Sequence, residues 1–376
     1  MIYLDNAATS LPKPPPVIEA VAQAMRTMGN ASRGTHETAI LAARTVYRTR
    51  TQLGRLFGCP ADRVCFTANA TAALNIAIQG AIPDGAHVLT TDMEHNSVLR
   101  PLHRLADQGR ISLDYIPVDG RGRLYYDRLD RLCTGKTRAL VCTQASNLTG
   151  NVVDLKRMGA FGRSRGLLLI VDASQGGGLF DIDMKDCGID ILCFTGHKAM
   201  LGPQGIGGLC IAEGVEVQPL AEGGSGVRSY ERRQPQDLPT RLESGTLNTH
   251  GIAGLSAALD WIEKQGRQRI RQHEQALAER FYREVSGLPG VTVLGDFETF
   301  DRVPVVSLCV EGYDSGEVSD ILATEFSIAT RPGAHCAPRL HRALGTEQSG
   351  AVRFSFSYAN TVEEVMSAVH AIRSLL

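Results

Sequence analysis

Between residues 60 and 210, short apolar, β-rich runs alternate with stretches whose apolar positions recur at helical spacing. The runs are Arg63–Thr67, His87–Thr91, Ala139–Thr143, Leu167–Val171, Ile189–Phe194 and Gly207–Ile211. Several are apolar throughout, as strands buried on both faces must be, which predicts an α/β domain with a largely parallel sheet. Helical patterns intervene over Thr71–Gln79, Ser97–Gln108 and Asp154–Gly162. A glycine-rich and polar stretch from Glu222 through Pro239 reads as a long loop. A helical pattern follows from Gly251 to Val285, with a break expected at Gly266. The texture then changes, predicting a strand over Pro304–Val310, a helix over Ser315–Thr324 and a strand over Phe326–Thr330. A last helix opens at Thr361, with Glu364 placed to close a capping box. These patterns predict a large domain over residues 15–255 and a smaller C-terminal α+β domain over 256–376 that also takes in 1–14.

Composition narrows what such a chain does. Its 376 residues, 43% hydrophobic and 21% charged, suffice for about two packed domains. With 39 Lys plus Arg against 40 Asp plus Glu, the net charge of −1 supplies no field to gather nucleic acid or anionic lipid. Neither is expected as a partner, so charge chemistry must be local. The nine cysteines are odd in number and form no CxxC pair, which argues against a disulfide framework or a structural zinc site. The start Met1-Ile-Tyr-Leu-Asp5 lacks the features of a secretory leader, and no apolar run nears the roughly 18 residues of a membrane span. The expectation is a cytoplasmic protein with reduced thiols.

Ligands of open α/β sheets bind beyond the carboxyl ends of the strands. Five apolar runs are followed there by polar groups: Ala68-Asn-Ala-Thr71 at a helix start, Asp92-Met-Glu-His95, Gln144-Ala-Ser-Asn147, Asp172-Ala-Ser-Gln175 and Thr195-Gly-His-Lys198. Each signal is weak alone: a histidine at a strand end is commonly structural, an aspartate there commonly caps a helix, and a loop lysine is commonly solvated. Together they are hard to explain as structure, because each buried polar group left unpaired costs about 1 to 3 kcal/mol.

The set suits pyridoxal phosphate, which needs a lysine amine for a Schiff base and a carboxylate to keep its ring nitrogen protonated. Lys198 and Asp172 fit those needs. The helix starting at Thr71 offers backbone N–H groups and its dipole to a phosphate, with Thr195 and His197 nearby. A P-loop is absent, and Gly205-Ile-Gly-Gly208 is not a dinucleotide fingerprint.

Tyr3-Leu-Asp-Asn-Ala-Ala-Thr9, Glu94-His-Asn96, Ser146-Asn147, Val171-Asp-Ala-Ser-Gln175 and Thr195-Gly-His-Lys198 followed by Gly202-Pro203 resemble the class V aminotransferase family. Arg331-Pro-Gly-Ala-His-Cys336 and Val352-Arg353 resemble its cysteine desulfurase and selenocysteine lyase branch. The resemblance implies pyridoxal phosphate fold type I: a large domain with a mostly parallel seven-stranded sheet plus a smaller α+β domain, in a homodimer. It implies Lys198 as the Schiff-base lysine, Asp172 as the pyridinium partner and His95 on the ring face. Gln175 would bond the ring oxygen, with Asn147 nearby. Ala70, Thr71, Thr195 and His197 would hold the phosphate, joined by Thr246 from the other subunit. Arg353, with Arg331, Asn147 and Asn6 near it, would receive the substrate carboxylate, and Cys336 would be the sulfur-accepting nucleophile. No metal is expected.

Physical chemistry agrees with these roles. A freed lysine amine can act as a base at Cα, and an arginine fork matches a carboxylate as lysine does not. His335 adjacent and Arg331 five residues earlier make an activated Cys336 plausible on charge alone; the same segment would also suit a buried loop cysteine. The implied reaction converts L-cysteine to L-alanine and leaves a persulfide on Cys336 for a sulfur-acceptor or scaffold protein, as iron–sulfur cluster assembly requires. Alternatives are a selenocysteine lyase and an aminotransferase or β-lyase that ignores Cys336. The chain departs from the branch in Ala334, where a second histidine is usual before the cysteine, and in Ala70, where a second threonine is usual.

Overall fold

The structure is a computed structural model that describes residues 1–32 and 34–376. The chain opens with β1 (Ile2–Tyr3), α1 (Pro15–Thr27) and α2 (Glu37–Phe57). The central region follows as β2 (Val64–Thr67), α3 (Ala70–Ala81), β3 (Ala86–Thr91), α4 (Asn96–Asp107), β4 (Ile111–Ile116), α5 (Leu129–Leu132), β5 (Thr137–Thr143), α6 (Leu155–Arg165), β6 (Leu168–Asp172), α7 (Met184–Cys187), β7 (Ile191–Thr195) and β8 (Gly207–Ile211). The remainder is α8 (Thr249–Gln265), α9 (Arg267–Val285), β9 (Val291–Leu294), β10 (Val305–Val310), α10 (Ser315–Phe326), β11 (Ile328–Ala329), α11 (Pro338–Ala343), β12 (Val352–Ser355) and α12 (Val362–Arg373).

Seven strands form the central sheet in the order β2-β8-β7-β6-β5-β3-β4. From β7 to β4 every pairing is parallel, while β8 is antiparallel to both its neighbours. The inner strands are buried at nearly every position, with one apolar cluster around Leu140, Leu169 and Phe194 and another around Val141, Ile170 and Cys193. Alternation of side chains along a strand puts these two sets on opposite faces, so the expected doubly covered sheet is present. Helices α1 and α2 pack on α8. Through Ile252, Leu255 and Ile262, α8 extends the central cluster to the break at Gly266, whose φ of 85° turns the chain into α9.

A second, antiparallel sheet runs β12-β10-β9, and β1 pairs with β11. Leu4 joins Phe281, Val306, Phe354 and Val369 in a third apolar cluster, which fastens the N-terminal residues to the C-terminal elements. Capping boxes start both α10, at Asp314 and Glu317, and α12, at Thr361 and Glu364. The strand expected over Phe326–Thr330 is only two residues long. Phe326 completes α10, and Ser327, with φ of 54°, ends that helix before the chain can extend.

Candidate active site

Parallel pairing brings the polar residues to one sheet edge. Thr143 stands opposite Asp172, and Asp172 opposite Cys193, so β5, β6 and β7 finish within two residues of one another. Beside them Asn69 caps α3, its Oδ1 accepting the amide of Ala72 at 2.9 Å. That turn lies against β8, where a Cβ on Gly207 would meet the Asn69 backbone at 2.7 Å. Glycine is therefore required there for the α3 N-terminus to reach the sheet edge. His95 caps α4 in the same manner, with Nδ1 3.0 Å from the amide of Ser97.

These ends enclose a cavity of about 90 Å³ lined by Ala70, Thr71, His95, Asn147, Asp172, Gln175, Thr195, His197 and Lys198. Nine of the residues expected at the site thus meet in one place. Thr71 Oγ1 lies 2.8 Å from Ser97 Oγ, and Gln175 Nε2 donates to the carbonyl of Ala7 at 3.2 Å. Asp172 Oδ1 accepts from the amide and hydroxyl of Ser174 at 3.0 and 2.5 Å. Thr195 Oγ1 and His197 Nδ1 are buried without a hydrogen-bond partner. Two orphaned polar atoms beside a capped helix N-terminus are what a phosphate would satisfy, so these residues fit the phosphate of pyridoxal phosphate.

The surroundings set the charges. Lys198 opens on the cavity but stands in dense protein, and burial pushes its amine down to about 8 against the upward pull of Asp172. Burial takes the imidazoles of His95 and His197 down to about 4, which leaves both neutral at pH 7. Beneath the site Glu94 accepts from Thr91 Oγ1 at 2.6 Å and from the amide of Thr143 at 2.9 Å, while burial raises its carboxyl to about 8.

Against Asn147 of the cavity wall, β12 carries Arg353, 2% exposed. Its Nη1 donates to the carbonyl of Asn147 at 3.0 Å and its Nη2 to Asp5 Oδ1 at 2.9 Å, while Nε is buried without a partner. Cys336, partly exposed, follows His335 in a turn where both residues are left-handed, with φ of 49° and 56°. Each such residue costs on the order of 1–2 kcal/mol. The turn is held across the gap: Asn147 Nδ2 donates to the His335 carbonyl at 2.6 Å, and the amide of Asn96 donates to the Cys336 carbonyl at 2.8 Å.

Besides Arg353 and Cys336, three more of the expected residues lie outside the lining of that cavity. Asn6 lines a smaller space of about 30 Å³ behind Lys198, and its amide is engaged by Ser355, Asn360 and Leu11. Arg331 is exposed, although its charge still depresses the Lys198 amine. Thr246 is exposed on the segment after Glu243. Residues the sequence did not single out include Asp5, Asn96, Ser97 and Ser174. Asp5, Asn96 and Ser174 lie inside motifs read for their neighbours. Among the described residues, no three of His, Cys, Asp and Glu converge as metal ligands, and no helix is long and apolar enough to cross a membrane.

The family model for aminotransferase class V matches residues 2–367. The chain is similar to a probable cysteine desulfurase of Methanothermobacter thermautotrophicus, 32% identical over 371 residues that cover 97% of this chain and 92% of the relative. It is also 33% identical to a probable cysteine desulfurase of Pyrococcus abyssi, covering 100% of this chain and 94% of that one. Among solved structures, the apo cysteine desulfurase of Thermococcus onnurineus superposes with a TM-score of 0.94 at 31% identity, covering 100% of this chain and 94% of that one.

Proposed function

The chain belongs to the class V aminotransferase family, and we propose that within it the protein is a pyridoxal-phosphate-dependent cysteine desulfurase that converts L-cysteine to L-alanine and keeps the sulfur on Cys336. The seat of Cys336 carries this reading. Its carbonyl accepts the amide of Asn96, the residue after His95, so a thiol-bearing turn is tied to the rim of the cavity that holds Lys198 and Asp172.

When bound, pyridoxal phosphate supplies an aldehyde that amines attack and a ring that takes up electrons. Thr71, Thr195, His197 and the α3 N-terminus would hold its phosphate, Asp172 its ring nitrogen, His95 its face, and Gln175, with Asn147 nearby, its ring oxygen. Arg353, with an unused Nε, receives the substrate carboxylate. Lys198, whose amine loses its proton near pH 8, takes the Cα proton and returns one. Cys336 Sγ attacks the substrate sulfur. In the net reaction the Cβ–S bond breaks, an S–S bond forms on Cys336 and Cβ gains a hydrogen; the two electrons lost by the paired sulfurs are those gained at Cβ.

On the same reading the protein works in the cytoplasm as a homodimer, with exposed Thr246 serving the other subunit's phosphate site. The persulfide passes to an acceptor or scaffold protein for iron–sulfur cluster assembly. The test is mass spectrometry of the Cys336 peptide after incubation with L-cysteine, together with alanine formation by wild type and Cys336→Ala. A sulfur adduct at Cys336 and loss of alanine formation in the variant are expected. Equal alanine formation by the two proteins would overturn the reading.

A further inference from the structure

The carboxylate clamp and the thiol turn are joined by a closed circuit of hydrogen bonds. Arg353 Nη1 donates to the Asn147 carbonyl at 3.0 Å, and the Asn147 side chain donates from Nδ2 to the His335 carbonyl at 2.6 Å. The His335 ring returns to the backbone, with Nε2 2.9 Å from the carbonyl of Arg331. Arg331 and Arg353 then exchange both backbone hydrogen bonds, at 3.2 and 2.9 Å, and the circuit closes.

The strained part of this circuit lies next to the nucleophile. His335 and Cys336 are successive left-handed residues without glycine, a conformation that persists only where surrounding contacts impose it. Two of those contacts are the bonds to their carbonyls, one from Asn147 Nδ2 and one from the Asn96 amide. The His335 ring stacks on His341 at 5.8 Å, and His335 Nδ1 is buried without a partner, so the turn is not fully satisfied in this posture.

We propose that Asn147 is a positioning residue that couples occupancy of the Arg353 carboxylate site to the posture of the Cys336 turn. A carboxylate arriving at the unpartnered Nε of Arg353 is a charged acceptor, stronger than the backbone carbonyls that now occupy this network. Drawing the guanidinium from the Asn147 carbonyl and taking the second hydrogen of Asn147 Nδ2, it pulls the Asn147 side chain away from the His335 carbonyl. With one of its two carbonyl bonds removed, the strained turn relaxes and presents Sγ to the substrate. The thiol is thereby withheld until an amino acid is seated. The bias is thermodynamic: the carboxylate favours the released turn because Asn147 approaches it most closely once the bond to the His335 carbonyl is given up.

This inference takes the location of the carboxylate site from the proposed function, but its test does not depend on sulfur transfer. Holoenzyme is treated with iodoacetamide, and alkylation of the Cys336 peptide is followed by mass spectrometry with and without L-alanine, or with L-alaninamide, which lacks the carboxylate. In wild type, L-alanine is expected to accelerate alkylation of Cys336 by about fivefold or more, while L-alaninamide does not. In Asn147→Ser the thiol is expected to react fast without ligand and to gain less than about twofold from L-alanine. No acceleration in wild type, or equal acceleration by both ligands, overturns the coupling. So does an undiminished response in Asn147→Ser. If that variant does not fold, the comparison of ligands in wild type decides alone. A Cys336 that takes no sulfur would sink the desulfurase reading while leaving these rates measurable.

Discussion

Arg353 Nη2 lies 2.9 Å from Asp5 Oδ1, so the guanidinium at the candidate carboxylate site is already paired with an acid from the opposite end of the chain. A substrate carboxylate must share that cation with Asp5. The Asp5→Asn variant keeps the shape and removes the competing charge. It is expected to lose about 3 kcal/mol of stability, since it leaves a buried arginine without its ion partner. It should also bind L-alanine several-fold more tightly than wild type. Thermal unfolding with and without L-alanine reads both effects, and a variant that gains no more from the ligand than wild type does would show that Asp5 does not compete.

A second buried ion pair fixes the segment that leads to Thr246. Arg50 reaches the two oxygens of Glu243 at 2.7 and 2.5 Å, both side chains are more than nine-tenths buried, and Glu243 Oε1 also accepts the amide of Phe66 at 2.6 Å. Arg50→Leu is expected to cost about 3–5 kcal/mol in urea unfolding, because it strands a charge inside the protein. The double variant Arg50→Leu with Glu243→Leu should cost less than the sum of the single changes. Additive losses would mean that the two side chains act independently.

The central strands and most of the cavity were legible in the sequence because the signals were local. Apolar runs ended in polar residues, and a parallel sheet gathers such ends on one edge. What escaped were features whose partners are distant in the chain. β4 alternates buried and exposed residues as an edge strand, and its polar positions hide it. β12 contains Arg353, whose charge argues against a buried strand until Asp5, 348 residues away, is seen beside it. The left-handed pair at His335 and Cys336 has no glycine to announce it, and its restraints come from Asn96 and Asn147. The role given to Asn6 rested on a motif, whereas its amide is engaged in joining the N-terminal residues to the segment after β12.

Glu274 lines the small space behind Lys198 and is 5% exposed, with burial raising its carboxyl to about 8 against the influence of Tyr358 and Ser357. The unfolded chain releases this proton near 4.5, whereas the folded protein holds it to about 8. Between those values the folded state binds more protons, so this group makes stability fall as pH rises, by up to about 1.4 kcal/mol per pH unit. Glu274→Gln carries no such penalty. Its melting temperature relative to wild type is expected to climb from pH 5 to pH 8; a constant difference across that range would contradict a buried neutral acid.

The amine of Lys198 offers the most direct test of the electrostatics of the site. Burial lowers it from 10.5 to about 8, Asp172 pulls it back up, and Arg353 and Arg331 push it down. In protein stripped of cofactor, trace acetylation by acetic anhydride reports the fraction of each lysine present as free amine. The Lys198 peptide is expected to titrate with a midpoint near 8, well below the ordinary lysine value of 10.5. Asp172→Asn removes the one large attraction and should move the Lys198 midpoint lower still. Arg353→Leu removes a repulsion and should move it higher. A midpoint near 10.5 in the wild type would mean that water reaches the amine freely. A rise in Asp172→Asn would mean that the carboxylate does not act on Lys198 through its charge, and that the pairing on which their shared role depends is absent.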